Sequence, residues 1–440
     1  MFKHILPPDM IPDGNSVAIY SGAELVGFLF AVGDKFGFRY VSKWQKEGIP
    51  LSPRLDFDVP AKSEDVHAFF DAFMPEGQRR EFFVEREKLP ANDLVGYLRR
   101  HGQDLPGSLH AEPIGKSDDS DVTREILESI GNDMPLTGLL PHSLLSGVDD
   151  KTPVVAKKTG SNWRFRLSNI EHPSTHIIKK GNDLCINEAF CMRLAQLCGL
   201  SAMDSDILSV NGNLAFITER FDREILSDGR VRRIEQKDFC QLAGLPPDQK
   251  YCRAGFGLTN EKIAALLPPS EIPAFLAGSM FSLVIGNSDD HGKNYALLYR
   301  DEKRPELAPL YDLASISGFL FFDRDARAST RLSRPIGNAV YDVHIKTDDL
   351  RRHAEIFGVE AKDLACILDE TVRLVDANAD KAAKDIQERL DALDAPTVEV
   401  AYLRAHMHGR VEEFYGKLAR DFLESSSSKV ETSRMLFGPR

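Results

Sequence analysis

Alternating and helical hydrophobic patterns in the first third of the chain predict a small unit of strands followed by helices. Residues 16–31 alternate apolar and polar side chains on both sides of a Ser-Gly pair, which is the pattern of a β-hairpin. Residues 63–73 repeat apolar side chains at helical spacing after a serine and two acids, which predicts a helix capped by Ser63. We therefore expect an N-terminal α+β subdomain over residues 1–135.

A second β-rich pattern follows and contains one helix. The strand patterns occupy residues 154–158, 163–167, 175–179, 207–210 and 214–219. An apolar helical stripe at residues 187–197 comes after the third of these strands. This order predicts a five-stranded sheet with one inserted helix, in a domain over residues 136–245.

The rest of the chain is mostly helical. Residues 271–285 are apolar on nearly every face, which predicts a buried helix. Long helical patterns then occupy residues 348–357, 361–393 and 397–423. We predict a helical lobe over residues 246–424 and a disordered tail over residues 425–440, which lack periodicity. The predicted fold class is α+β with two lobes: a β-rich lobe with an extra N-terminal subdomain, and an all-helical C-terminal lobe.

Composition narrows the class of protein. The 440 residues are 42% hydrophobic and 28% charged, which is ordinary for a soluble globular chain. No apolar run approaches the roughly eighteen residues of a membrane span, and Pro and Asp interrupt the start where a signal peptide needs an apolar core. The six cysteines show no CxxC spacing, which fits a reducing cytoplasm. A net charge of −12 argues against a chain that coats nucleic acid alone, but permits a basic partner that contacts DNA.

The most informative chemistry lies in the stretch IGNSDDHGKNYALLYR, residues 285–300. Asp289 is followed five residues later by Asn294, then by an apolar strand pattern, and later by Asp312. Phosphoryl transfer by kinases uses a base, an Asn metal ligand five residues on, and a later Asp metal ligand. We predict Asp289 as the base, and Asn294 and Asp312 as Mg²⁺ ligands. Taken alone, the acids around Asp289 fit a solvated turn equally well.

Two further residues of this loop carry candidate roles. Lys293 is predicted to stabilise the migrating phosphoryl group. His291 is predicted to orient the loop beside the nucleotide rather than bind metal, because no second His or Cys lies at ligand spacing.

A lysine at the end of the third strand is the candidate phosphate contact. On sequence alone Lys179 and Lys180 are equal candidates, and alternation with Ile177 favours Lys179. Glu188 in the following helix is predicted to pair with this lysine and keep it charged. An acid favoured by the helix macrodipole is an equally good interpretation of Glu188.

Two loops complete the candidate nucleotide site. The loop at residues 143–151 has only Gly147, so it is neither GxGxxG nor Walker-type. Its backbone N–H groups and Ser146 are predicted to cover phosphates as an anion nest, although a plain Ser/Gly turn fits equally well. Glu219 and Phe221 lie where a linker presents backbone groups to an adenine.

At this point the chain resembles the HipA family, the bacterial serine/threonine kinases of HipBA-type toxin–antitoxin systems. The matching stretches, in family order, are SGVDDKTPV (146–154), STHIIK (174–179), NEAFCMRLAQLCGL (187–200), ITERFDR (217–223), KDFCQLAGLP (237–246), IGNSDDHGKN (285–294) and LAPLYD (307–312). The resemblance implies a two-lobed protein-kinase-like fold that uses ATP and Mg²⁺ to phosphorylate a protein serine or threonine. It also implies an aminoacyl-tRNA synthetase as substrate, glutamyl-tRNA synthetase foremost, and growth inhibition. The implied partner is a small helix-turn-helix antitoxin, which carries most of the DNA binding.

The resemblance also assigns roles by position. Asp289 matches the family's catalytic base, and Asn294 and Asp312 match its magnesium ligands. Lys179 matches the ATP-phosphate lysine. The adenine-contacting linker falls on Glu219 and Phe221.

The chain departs from the family in its Gly-containing loop. Family members autophosphorylate a serine there. In some members its position matches Leu144, which is flanked by Ser143 and Ser146, and in others the serine lies directly before the Gly, which is Ser146 here. Asp149 and Asp150 replace the usual Gln-containing pair. Two added negative charges would weaken nucleotide affinity unless the acids point outward or bind metal.

Two other functions remain open on sequence. A small-molecule phosphotransferase of the aminoglycoside or phosphoinositide type shares the same Asp/Asn/Asp logic. A catalytically weak corepressor that binds an antitoxin–DNA complex is the other, and the Asp149–Asp150 pair favours it.

Overall fold

The computed structural model describes residues 15–112, 120–136, 144–147, 149–160, 162–301, 304–318, 330–395 and 397–426. The chain divides into two compact units. The first comprises the described parts of Met1–Lys180, Thr218–Gln249 and Ala296–Glu306, and the second those of Gly181–Ile217, Lys250–Tyr295 and Leu307–Arg440. The sequence-based boundaries at residues 135, 245 and 424 stay predictions.

The chain contains helices and strands in a mixed order, which confirms the α+β fold class. The helices are α1 (Ser42–Glu47), α2 (Ser63–Asp71), α3 (Gly77–Glu87), α4 (Leu94–His101), α5 (Thr123–Gly131), α6 (Asn182–Leu197), α7 (Phe239–Ala243), α8 (Asn260–Leu266), α9 (Ile272–Ile285), α10 (Thr347–Ile356), α11 (Ala361–Asp391), α12 (Glu399–Arg410) and α13 (Gly416–Ser426). The strands are β1 (Ser16–Ser21), β2 (Glu24–Val32), β3 (Lys35–Tyr40), β4 (Leu109–Ala111), β5 (Lys151–Thr159), β6 (Asn162–Arg166), β7 (His176–Lys180), β8 (Ser205–Val210), β9 (Asn213–Glu219), β10 (Arg223–Ile225), β11 (Val231–Arg233), β12 (Glu235–Asp238), β13 (Ala296–Tyr299), β14 (Glu306–Leu307), β15 (Arg331–Ile336) and β16 (Ala339–Tyr341).

The start of the first unit is an antiparallel sheet in the order β3-β2-β1-β4. Its inner face and the aromatic stripe of α2 form a hydrophobic core with Phe69, Phe70 and Phe73. The predicted cap is wrong: Ser63 is the first residue of α2, and its hydroxyl accepts a hydrogen bond from Phe36 N at 2.8 Å. The hydroxyl therefore satisfies a strand donor and fixes α2 against β3.

The first unit also contains the strands that carry the candidate phosphate contacts. Strand β5 pairs antiparallel with β6 on one side and with β7 on the other. The β5–β7 register places Lys151 opposite Lys179. Strands β10 and β11 pair with each other, and β12 pairs with β13.

The second unit is built around the long helix α11, which packs against α6, α9, α12 and α13. Helix α9 is buried along almost its whole length, as its apolar sequence predicts. The antiparallel hairpin of β15 and β16 adds a strand pair that the all-helical prediction for this region did not include. A π turn at Val411–Tyr415 joins α12 to α13.

Helix α13 continues to Ser426, so the first two residues of the predicted disordered tail are helical. Residues 427–440 lie outside the described part. All six cysteines are free thiols. Across the described ranges no helix combines the length and the apolar character that crossing a membrane requires.

Candidate active site

The candidate catalytic loop begins where α9 ends. Gly286 terminates α9 in the left-handed region with φ 77°, and a Cβ there would lie 1.9 Å from Ser317 Oγ. Only glycine fits this close approach. The buried Arg410 of α12 donates to the terminal carbonyls of Leu283 and Val284 at 2.9 and 2.8 Å. The last turn of the helix is therefore fixed before the acids begin.

Asp289 presents a half-exposed carboxylate on this loop. Its side chain is 50% exposed, and its Oδ1 accepts a hydrogen bond from the Tyr251 hydroxyl at 3.0 Å. Its backbone carbonyl accepts from His291 N at 2.7 Å and from Asn294 Nδ2 at 3.1 Å. The backbone is thus held by its own loop while the carboxylate faces solvent, as a general base requires.

Asn294 is oriented by the same contact. It closes the 3₁₀ turn Gly292–Asn294, and its amide donates to the Asp289 carbonyl. Because Nδ2 donates to the Asp289 carbonyl, the amide oxygen Oδ1 is the atom left for a metal ion. This oxygen is of the hard class that Mg²⁺ prefers.

The segment before Asp312 is tied to the catalytic loop. The Tyr311 hydroxyl donates to the carbonyl of Lys293 at 2.8 Å. Tyr311 directly precedes Asp312 and Lys293 directly precedes Asn294, so this bond joins the two segments. Leu310 pairs with the chain after α6, through bonds to Ser201 O and from Met203 N. Asp312 itself has φ 59°, a left-handed conformation that Asp tolerates better than most residues. These contacts bring the two predicted metal ligands to one region.

A buried polar chain supports both parts of this region. Asn187 of α6 donates to Ser315 O at 3.0 Å and accepts from Ser315 N at 2.7 Å. The Ser315 hydroxyl in turn donates to Ile285 O at 2.5 Å. The side chains of Asn187 and Ser315 therefore link α6, the segment after Asp312 and the end of α9.

His291 and Lys293 are both buried in the loop. Burial, together with the nearby Lys250, lowers the pKa of His291 to about 3, so the imidazole is neutral. Its ring packs edge-on against Tyr251, with centroids 5.3 Å apart. A neutral, packed ring fits the predicted orienting role.

Asp290 has a different role from its neighbour. Its carboxylate is paired with Arg334, which also donates to Asp290 O at 2.9 Å and to Asn260 Oδ1 at 2.8 Å. Burial raises the pKa of Asp290, and the Arg334 guanidinium opposes that rise. The interpretation as a solvated turn is therefore wrong for Asp290, because its carboxylate is largely buried and paired with Arg334. The sequence did not reveal this pair because Arg334 lies 44 residues away.

In the first unit, the Gly147 loop is anchored by Arg79 of α3. The Arg79 guanidinium donates to the carbonyls of Leu145, Gly147 and Lys151 at 3.0, 3.1 and 3.2 Å. Burial lowers the pKa of Arg79 to about 10, and Asp150 and Asp149 act in the opposite direction. The loop is thus fixed by a side chain from the N-terminal part of the sequence.

The ammonium of Lys151 lies over this loop. A Cβ on Gly147, which has φ 106°, would be 2.4 Å from Lys151 Nζ. Strand register places Lys151 opposite Lys179, and both side chains are buried. Ser146 is partly buried beside Gly147, whereas Ser143 lies outside the described residues.

The two candidate lysines differ in their surroundings. Lys180 Nζ is 2.9 Å from Asp133 Oδ1 and donates to Met134 O at 2.6 Å. Asp150 Oδ2 accepts from Leu136 N at 2.9 Å and lies 3.9 Å from the same ammonium. Lys180 and Asp150 are therefore committed to the segment after α5, which favours Lys179 as the phosphate contact.

The predicted linker residues lie in the first unit, next to a buried ion network. Glu219 is half exposed, and its Oε1 is 4.0 Å from His176 Nε2. On either side of Phe221, Arg220 and Asp222 pair at 2.7 Å, and Asp222 accepts from Gly107 N at 2.7 Å. This network fixes the backbone of the linker.

Glu188 is a buried residue of α6 in the second unit. Helix α6 begins at Asn182, so Glu188 lies beyond its first turn. The macrodipole interpretation of Glu188 is therefore wrong, since that effect falls off within the first turn. A buried carboxylate in mid-helix needs a cationic or hydrogen-bonding partner.

Among the described residues there is no group of three or more His, Cys, Asp and Glu side chains arranged to hold a metal. The predicted magnesium site does not need one, because it consists of an amide oxygen of Asn294 and the carboxylate of Asp312. Magnesium is often held by one or two protein ligands together with substrate phosphates and water. The donor set fits the ion.

Sequence reasoning missed several residues that position this site. Four of them lie far in sequence from the groups that they hold: Arg79, Asn187, Tyr251 and Arg410. The fifth, Lys151, lies four residues from Gly147. Asn187 and Lys151 lie inside the motifs quoted above, so the motif itself was the available signal for these two. For Tyr251 and Arg410 the sequence offers no spacing signal.

Comparison with known families matches both parts of the chain. A model described as HipA N-terminal domain matches residues 17–112, and a model described as HipA-like C-terminal domain matches residues 143–379.

Individual relatives agree with this match. The chain is 31% identical to the putative kinase Y4mE of Sinorhizobium fredii over 81% of this chain and 88% of that protein. It is 27% identical to the serine/threonine-protein kinase toxin HipA of Shewanella oneidensis over 70% of this chain and 77% of that protein. A solved structure of HipA from the S. oneidensis complex with HipB and operator DNA is similar in fold. Its TM-score is 0.75 at 23% identity, over 94% of this chain and all of that chain.

Proposed function

Because this chain belongs to the HipA family, we propose that it transfers the γ-phosphoryl group of ATP to a serine or threonine of a protein, as the toxin of a toxin–antitoxin pair. Family membership confirms the sequence-based prediction of a HipA-type serine/threonine kinase. The use of ATP and Mg²⁺, the individual site residues and the substrate remain proposals. The site residues rest on the contacts described above, and the substrate rests on the resemblance to the family.

One observation carries the proposal: the Tyr311 hydroxyl bond to Lys293 O joins the Asp312 segment to the loop in which Asn294 bonds the Asp289 carbonyl. A base and two oxygen ligands are thereby gathered in the second unit. A solvated turn or a purely structural loop has no need for this combination. Phosphoryl transfer needs all three.

The roles of the residues follow from their contacts. Asp289 orients and deprotonates the acceptor hydroxyl, and Tyr251 fixes one of its carboxylate oxygens. Asn294 and Asp312 hold the magnesium ion, which when bound neutralises charge on the β- and γ-phosphates. Lys293 precedes Asn294, its carbonyl accepts from the Tyr311 hydroxyl, and its side chain stabilises the transferred group.

In the first unit, Lys179 contacts the phosphates, and Ser146 and Gly147 cover them. Lys151 adds a second ammonium above Gly147. The pairing of Glu188 with Lys179 stays a prediction from the sequence. Glu219 and Phe221 contact the adenine, and His291 orients the loop beside the nucleotide. Autophosphorylation, if it occurs on this loop, falls on Ser146 or Ser143.

The proposed substrate is a protein of translation, an aminoacyl-tRNA synthetase such as glutamyl-tRNA synthetase, which places the activity in the cytoplasm. The proposed partner is a small helix-turn-helix antitoxin that carries the DNA contact. The complex of S. oneidensis HipA with HipB and operator DNA supports this partnership. The net charge of −12 also favours DNA binding through a partner rather than by this chain alone.

The proposal is tested by Asp289→Asn, measured as transfer of labelled phosphate from ATP to protein. Losing a positioned base typically lowers the rate by ~10²–10⁴. Asp228→Asn, at an exposed acid paired with Arg230, is the matched control and is expected to keep full activity. Wild-type activity in the Asp289 variant would overturn the assignment.

A further inference from the structure

A short hairpin beside Asp289 presents an exposed aromatic ring to solvent. Arg253 and Phe256 exchange two backbone hydrogen bonds, at 3.0 and 2.9 Å, around Ala254 and Gly255, which both have positive φ. Phe256 is 79% exposed, the largest exposed fraction of any large hydrophobic side chain in the described ranges. An aromatic ring held in the open on an ordered turn offers a large apolar contact area at low conformational cost.

The hairpin is braced on the candidate catalytic loop at both of its ends. Before the turn, the Tyr251 hydroxyl bonds Asp289 at 3.0 Å. After the turn, Leu258 packs so closely on Gly292 that a Cβ there would lie 2.1 Å from Leu258 Cδ2. Between them, Cys252 N donates to Ser333 O at 3.0 Å. The position of Phe256 is therefore fixed relative to the proposed base.

The hairpin is also basic. Arg253 is exposed, with its guanidinium 5.1 Å from the centroid of the Tyr251 ring, and Lys262 is exposed after the turn. Lys250 precedes the hairpin, and Glu261 is the one acid between residues 250 and 262. Lys250 is buried and the Lys262 ammonium donates to Gly257 O at 2.6 Å, so Arg253 is the cation that faces solvent beside the ring. An apolar ring beside an exposed guanidinium is complementary to a peptide that carries an apolar and an acidic side chain.

We propose that the hairpin at residues 251–258 is the docking element for the protein substrate, in which Phe256 contacts an apolar side chain and Arg253 an acidic one. This inference rests on the proposed kinase function and names the sequence character of its substrate. Chain geometry limits Phe256 to a distance on the order of 10–15 Å from Tyr251. An extended peptide advances about 3.3 Å per residue, so the contacts fall about three to five residues from the acceptor.

The test is an array of synthetic peptides that contain one serine among alanines, with Leu, Asp or Lys placed at each of several distances from it. Wild type is expected to prefer Leu by about tenfold and Asp by about fivefold in kcat/KM at those distances. Phe256→Ser should lose the preference for Leu. Arg253→Glu should prefer Lys at the positions where wild type prefers Asp. The KM for ATP should be unchanged in Phe256→Ser and in Arg253→Glu.

Matched controls separate docking from a general surface effect. Val398→Ser removes another highly exposed apolar side chain, and Arg404→Glu reverses a half-exposed charge on α12. Both are expected to keep wild-type preferences. A new preference for Lys in Arg253→Glu is a gained specificity, which a loss of structure would not produce.

The outcomes distinguish this inference from the proposed function. If wild type phosphorylates peptides and the two hairpin variants keep its preferences, the docking element is overturned and the kinase function stands. If wild type transfers phosphate to protein but to no peptide, the docking element is overturned and the kinase function stands. If it transfers phosphate to neither, as Asp289→Asn does, both are overturned. A changed preference in the hairpin variants alone supports the inference.

Discussion

At the scale of single residues, two adjacent acids show how environment decides role. Asp289 keeps a half-exposed carboxylate with one hydroxyl donor, whereas Asp290 is paired with buried Arg334. Arg334 also lies over the rings of Phe275 and Tyr295, at 5.2 and 5.5 Å from their centroids. The sequence shows two adjacent aspartates, and it is the contact of Asp290 with the distant Arg334 that gives them different roles.

This difference predicts opposite effects on stability. Asp290→Ala leaves the Arg334 charge buried without its partner, so we expect the free energy of unfolding to fall by about 3–5 kcal/mol. Asp289→Ala removes a half-exposed group and should change that free energy by less than about 1 kcal/mol. Urea denaturation of the two variants measures both values. Equal losses would contradict the structural role given to Asp290.

At the scale of elements, the strands and helices with the strongest hydrophobic patterns were predicted correctly. The hairpin of β1 and β2, the buried helix α9 and the long helix α11 appear where the periodicity places them. Helices α1 and α3 were missed because α1 has no buried residue and α3 buries only Arg79 and Phe83. A hydrophobic pattern cannot mark a helix that contributes so little apolar surface.

Helix α12 carries a pH dependence that its sequence does not reveal. Burial and the nearby Asp183 raise the pKa of Glu399 to about 7. A raised pKa means that folding favours the protonated form, so this contribution is present below the unfolded pKa of about 4.3 and is lost as pH rises through 7. Glu399→Gln should therefore raise the free energy of unfolding at pH 8 by about 1–2 kcal/mol, with little change at pH 4.

Thermal unfolding at the two pH values measures this effect. Glu412→Gln, at an exposed position of the π turn, is the matched control and is expected to show no such difference. An equal effect of Glu399→Gln at both pH values would show that the carboxyl group does not titrate in this range.

At the scale of the whole molecule, fold class and family were predictable, whereas the support of the site was not. Asp289 and Asn294 are five residues apart, so a single local motif contains both the base and one metal ligand. Arg79 reaches the Gly147 loop across 68 residues, and Arg410 reaches α9 across more than 120. Such contacts depend on how distant segments pack, and no spacing in a single sequence encodes them.

The proposed contacts with ATP predict how the nucleotide changes thermal stability. A ligand that binds only the folded state stabilises it by RT ln(1 + [L]/Kd), about 2.7 kcal/mol at a concentration of 100 Kd. We expect ATP to raise Tm more with magnesium than with EDTA, because Asn294 and Asp312 are the proposed ligands of the ion. Asp312→Ala should lose the magnesium-dependent part, and Lys179→Ala should lose most of the ATP-dependent rise.

Lys180→Ala is the matched control, because the Lys180 ammonium is bound to Asp133 and to Met134 O. The rise in Tm on adding ATP should persist in this variant even if its Tm without ATP differs from that of wild type. A magnesium-dependent rise that survives in Asp312→Ala would place the ion elsewhere, and equal behaviour of the two lysine variants would remove the distinction between them.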